Sequence, residues 1–248
     1  MKGQILILKT GELPRRVTDR HGPYERAFLS LLGEKGRFVV VDAQKDSLPE
    51  PMWAGIIVSG SASSTYGGEM WIQRSEEFLR KAANREVPIY GICFGHQLLA
   101  QAFGGKVEKC PRGWELGTVP FLVDPEARDD PLFAGLPEEF EVQQSHGDIV
   151  SELPVGAVCL GSSSHWPIQA FRLGDKICGT QFHPEFTRAI MEDLVHSLTT
   201  ILPPETFSDN STDRPVKERI LSGLRESLQS RNCLRNFVKQ ISKRESRC

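Results

Sequence analysis

The first hundred residues alternate short, wholly apolar runs with longer stretches whose apolar positions recur every three or four residues. Gln4–Lys9, Phe38–Asp42, Gly55–Ser59 and Pro88–Cys93 are of the first kind; Pro23–Leu32, Met70–Asn84 and Gly95–Phe103 are of the second. Runs that are apolar throughout suit strands buried on both faces, with the helical segments as crossovers between them. The expected class is α/β: a three-layer, mostly parallel open sheet with helices on both faces. After Gly104-Gly105 the rhythm shortens. Lys106–Lys109, Leu116–Val123, Phe140–Gln144, Ala157–Gly161, Ile168–Arg172 and Ile177–Phe182 read as strands parted by Pro, Gly and Asp turns, which suits antiparallel additions to the sheet. Thr187–Leu202 reads as the helix that closes this body.

The pattern divides the chain into residues 1–202 and a tail, 203–248. The tail opens with a polar linker, Pro203–Asp213, and continues with two amphipathic segments. Their apolar positions are Val216, Ile220, Leu221, Leu224 and Leu228, then Leu234, Phe237, Val238 and Ile241. From Arg214 onward there are ten Lys/Arg against three Glu, a balance of +7. The whole chain carries −2, so residues 1–213 carry about −9. Interspersed charge with almost no aromatics argues against a nucleic-acid or membrane surface, and the tail is expected to pack on its own acidic body.

Composition narrows the classes further. With 39% hydrophobic and 25% charged residues in 248, the chain has an ordinary globular make-up. No apolar run is long enough to span a membrane, and the charged stretch Glu12–Arg20 directly after the first strand does not suit a signal peptide. A cytoplasmic protein is expected, and the sequon at Asn210-Ser211-Thr212 is read as chance. The six cysteines are scattered without a C-x-x-C pair or a Cys/His cluster, so neither a metal, a cofactor nor a disulfide framework is expected.

One cysteine stands apart. Cys93 ends an apolar strand, precedes a helical pattern, and is flanked by Gly91 and Gly95 in a G-x-C-x-G arrangement. A sharp strand-to-helix turn needs glycines where a Cβ would meet neighbouring backbone, and it presents the sulfur at the carboxyl edge of the sheet. The helix N-terminus then favours a thiolate and offers N–H groups to a developing oxyanion. A buried cysteine at an ordinary strand–helix junction would look similar, so a partner is required. His183 and Glu185, in Gly179-Thr-Gln-Phe-His-Pro-Glu185, lie two apart near a strand end. Their side chains then share a face, and the carboxylate can orient an imidazole toward a thiol.

The stretches GICFGHQLLAQAFGG, SHGD and GTQFHPE, in this order, resemble the class I (triad-type) glutamine amidotransferase family. The resemblance implies a flavodoxin-like core with residues 1–202 as the catalytic domain, and a catalytic triad of Cys93, His183 and Glu185. It implies attack on a γ-glutamyl carbonyl through a thioester intermediate. It also implies oxyanion donors at the backbone N–H of Gly60 and Phe94, and substrate contacts from Gln97, Ser145 and His146. Gln97 has a plainer reading as a helix residue that caps or faces solvent, and His146, with Asp148, has one as a residue that holds its loop through hydrogen bonds. The oxyanion turn, Ser59-Gly-Ser-Ala-Ser-Ser64, departs from the family by carrying Ser61 where many members have glycine.

No ATP-binding loop or acceptor domain is legible, which leaves three readings. One is a free-standing glutaminase supplying ammonia to a separate accepting protein. Another is a γ-glutamyl peptidase, for which Trp114 would line a leaving-group pocket. The third is a non-catalytic binding relative, which the intact Cys/His/Glu set argues against.

Overall fold

The computed structural model describes residues 3–33, 37–207 and 215–245; the sequon and most of the linker lie outside them. Nine strands form one sheet in the order β2-β1-β3-β4-β11-β10-β9-β6-β7. Five are mutually parallel: β2 (Phe38–Asp42), β1 (Ile5–Lys9), β3 (Gly55–Val58), β4 (Ile89–Ile92) and β11 (Ile177–Thr180). The rest are antiparallel: β10 (Ala170–Leu173), β9 (Ala157–Ser162), β6 (Glu115–Val123) and β7 (Glu139–His146). The expected antiparallel additions thus join the sheet, with one correction. β5 (Lys106–Lys109) pairs instead with β8 (Asp148–Glu152), in a separate two-stranded ribbon. DIVSE, the sequence of β8, has only two apolar residues and no alternation long enough to announce a strand.

Strand periodicity places the core on both faces. Ile5, Ile7, Ile57, Tyr90 and Ile92 point into one apolar cluster, and Leu6, Leu8, Ile56, Val58 and Ile89 into the other. The second is covered by α3 (Met70–Asn84) and α4 (Phe94–Ala102). The first is covered by α1 (Arg15–His21), α2 (Glu25–Leu32) and α5 (Arg188–Ile201). Two further helices, α6 (Val216–Gly223) and α7 (Arg231–Glu245), lie beyond. The apolar stripe of α7 (Cys233, Leu234, Phe237, Val238, Ile241) is buried in this same cluster, with Phe237 5.4 Å from Tyr90. Asn236 ties α7 to the neighbouring turn by donating to Leu132 O and Ala134 O, both at 3.0 Å.

Candidate active site

Three neighbouring parallel strands deliver their carboxyl ends to one place. β4 runs into Cys93, β11 leads to His183, and β3 opens the Ser59–Ser64 turn. The register pairs Thr180 with Ile92, and Cys93 N–H donates to Thr180 O at 2.8 Å, which fixes the two segments side by side. Cys93 has φ 52° and ψ −106°, a left-handed conformation that a side chain tolerates only when its surroundings enforce it. The flanking glycines are that enforcement. A Cβ on Gly91 would lie 2.3 Å from Gly95 O, and one on Gly95 would lie 2.4 Å from Val58 O. Phe94 begins α4, and its N–H has no acceptor among the described residues.

His183 is buried beside this elbow and stacks on Phe186 with ring centres 4.1 Å apart. Its Nδ1 hydrogen-bonds Glu185 Oε1 at 2.7 Å, as the two-residue spacing requires. Burial alone would push His183 down, but the charges of Glu185 and Cys93 and hydrogen bonding to both raise it to about 10. In the resting geometry the thiol also lies 3.8 Å from Ser145 O. Glu185 Oε1 accepts a second hydrogen bond, from Tyr24 Oη at 2.9 Å. Burial, with the charges of Glu185 and Cys93, holds that phenol well above its ordinary value, so it stays a donor.

The elbow, a thiol, a buried imidazole and its carboxylate sit where open α/β sheets bind ligands. A family model, glutamine amidotransferase class-I, matches residues 17–195 and spans all three side chains. The chain belongs to the class I glutamine amidotransferase family. It is 36% identical over 184 residues to a GMP synthase (glutamine-hydrolyzing) of Thermosipho africanus, a match covering 72% of this chain and 34% of that protein. It therefore spans about a third of such synthases. It is 31% identical over 185 residues to γ-glutamyl peptidase 4 of Arabidopsis thaliana, covering 71% of this chain and 72% of that one. A glutamine amidotransferase structure from Methylobacillus flagellatus superposes with a TM-score of 0.73 at 26% identity, covering 98% and 95% of the two chains.

Within this amidotransferase domain, Cys93, His183, Glu185 and Phe94 converge as described, whereas two of the other residues named from sequence are otherwise engaged. The Gly60 N–H points at Tyr24 Oη, 3.1 Å away, and is not free for an oxyanion. The next amide, that of Ser61, has no acceptor among the described residues, and Ser61 lines the same cleft. His146 uses both ring nitrogens internally, Nδ1 with Asp148 O (3.0 Å) and Nε2 with Glu115 Oε2 (2.9 Å). It therefore shapes the loop and offers no group to a substrate. Burial opposes ionisation of Glu115, yet His146 and Ser163 hold its carboxyl below the usual range. Gln97 donates its amide to Asp148 O (2.9 Å) and Gln181 Oε1 (3.1 Å) while lining the cleft. Ser145 also lines it, reached because the β6–β7 ribbon curls back far enough for Gln143 O to accept from His183 N–H.

The cleft has two lobes that meet at Cys93, Ser61, Ser145 and Trp114. One is polar, with Ser63, Ser64, Gln97, Lys109 and Asp148. The other is mostly apolar, with Leu13, Pro14, Phe186, Leu194 and Leu198. A larger cavity of about 950 Å³ lies between β6 and α6, but it contains none of Cys93, His183 or Glu185. Among the described residues no group of three His, Cys, Asp or Glu is placed to hold a metal ion, and no helix is long and apolar enough to cross a membrane. Tyr24 was missed as a site residue, because in sequence it reads only as an apolar position of a helix.

Proposed function

We propose that the protein hydrolyses the γ-carboxamide of glutamine through a γ-glutamyl thioester on Cys93. The observation that carries this reading is the Cys93 elbow with buried His183 beside it and Glu185 on His183 Nδ1. The thiolate attacks the γ-carbonyl carbon, and the developing oxyanion is received by the N–H groups of Phe94 and Ser61. His183 gives its proton to the departing nitrogen as the C–N bond breaks. It then takes a proton from the water that cleaves the thioester, releasing glutamate and the free thiol. The polar lobe supplies Lys109 for the substrate's α-carboxylate, with Ser145 and Gln97 beside it. Ammonia then passes to a separate accepting protein. A nucleophilic thiol works in a reducing compartment, which supports a cytoplasmic setting.

A second reading is favoured by one feature, the apolar lobe. Ammonia needs no such surface, whereas the amine half of a γ-glutamyl peptide with an apolar residue would bury there against Trp114 and Leu198. A glutamine-like diazoketone should label Cys93, and Cys93→Ala should abolish the labelling; labelling that persists in the variant overturns the nucleophile assignment. Ammonia release from glutamine, measured beside cleavage of γ-glutamyl-leucine, decides between the two readings.

A further inference from the structure

Two parts of the cleft that are distant in sequence meet at one hydroxyl. Tyr24 Oη donates to Glu185 Oε1 at 2.9 Å and accepts from Gly60 N–H at 3.1 Å. Its ring is buried, 2% exposed, between Phe28 and Phe186 at 5.4 and 5.9 Å. Phe186 in turn stacks on His183. A phenol has one donor and acceptor capacity as well, and here both are used across the active centre.

We propose that Tyr24 is a positioning residue that fixes Glu185 and the Ser59–Ser64 turn relative to one another, holding the carboxylate on His183 and the Ser61 amide toward the reacting carbonyl. This rests on the hydrolase reading given above. Glu185 Oε2 has no partner among the described residues, so Oε1 alone anchors the carboxylate, through His183 and Tyr24. Without the phenol, only the imidazole it is meant to orient would restrain it. On the other side, the Gly60 amide is held by the phenol, while Gly60 O accepts from Thr10 Oγ1 and Ser59 Oγ, so the backbone leading to Ser61, which lines the cleft, is anchored on both sides of Gly60. The approach is close enough to require glycine: a Cβ at Gly60 would lie 2.8 Å from Tyr24 Oη and 2.9 Å from His183 Cε1. One hydroxyl thereby couples the group that orients the base to the turn that receives the oxyanion.

The test compares the full chain with Tyr24→Phe, which keeps the ring and its burial, and with Phe28→Leu, which loosens the packing around Tyr24 and leaves both hydrogen bonds. Tyr24→Phe should lower kcat on a γ-glutamyl amide by about tenfold to a hundredfold with KM changed less than about twofold. Phe28→Leu should lower the melting temperature and keep kcat. A second readout needs no turnover: the pH profile of Cys93 alkylation by iodoacetamide reports the Cys93–His183 pair, and it should shift only in Tyr24→Phe. A Tyr24→Phe protein with kcat within about twofold of native and an unshifted alkylation profile overturns the proposal. If the native chain turns over no γ-glutamyl amide, the alkylation profile alone decides on Tyr24. Failure of the diazoketone to label native Cys93 counts instead against the thioester reading.

Discussion

Replacing Gly95 by alanine adds a single methyl group where the elbow presses against β3. That carbon would sit 2.4 Å from Val58 O and 2.9 Å from Val58 C and Cβ, where ordinary contact begins at 3.4 Å. The first of these is backbone of β3, so no side-chain rotation relieves it. The start of α4 must move off the sheet by about 1 Å, carrying the Phe94 N–H with it. Overpacking of this kind costs about 1–3 kcal/mol of stability. For a chain of this size each kcal/mol lowers the melting temperature by about 2–4 °C. The catalytic cost should be larger, because a misplacement of about 1 Å in a positioned group can cost about a hundredfold in rate. Thermal melts give the first quantity, and the rate of Cys93 labelling by the diazoketone, with kcat on a γ-glutamyl amide, gives the second. A Gly95→Ala protein that melts lower but labels and turns over at native rates would show that the elbow's geometry is not held by this contact.

His183 gives a pH signature in stability. Its folded value, about 10, lies above the ordinary 6.5, so its stabilising contribution is complete below about pH 6.5 and disappears as pH rises through about 10. Glu185→Gln removes the main source of that shift. The gap in melting temperature between native and variant should therefore be widest at the acidic end of this window and close toward pH 10, and a gap that does not vary with pH refutes the assignment. Asn236→Ala leaves Leu132 O and Ala134 O without their shared donor. It should cost about 1–3 kcal/mol in a denaturant melt while Cys93 labelling is retained; an unchanged midpoint would mean that α7 does not depend on this link.

Much of the parallel half was legible because the strands ILILK, GIIV and IYGI are buried on both faces and the half-buried edge strand FVVVD is apolar up to its last residue, so the apolar runs themselves mark their bounds. α3 and α4 were legible from spacing and from the glycines at Cys93. α1 was not, since Val17 is the only buried residue in RRVTDRH and its charged residues hide the helix. Its packing depends on tertiary contacts to the buried Asp193, which pairs with Arg16 and Arg20 and hydrogen-bonds His21 Nε2. In the candidate site, Cys93, His183 and Glu185 could be found because the chemistry confines them to short motifs. The engagement of His146 by Glu115 and of Gly60 by Tyr24 depends on how β6 and α2 approach the cleft, and no local pattern encodes it.

The burial of α7 in the core has a bearing on how the protein is made. Phe237 covers Tyr90, three residues before the nucleophile, yet it is synthesised well after Glu185. A nascent chain emerging from the ribosome thus displays Cys93, His183 and Glu185 before one face of β4 has its lid. In that interval the exposed face of the central sheet invites collapse onto wrong partners. Arrival of α7 is then the step that covers this face of the central sheet.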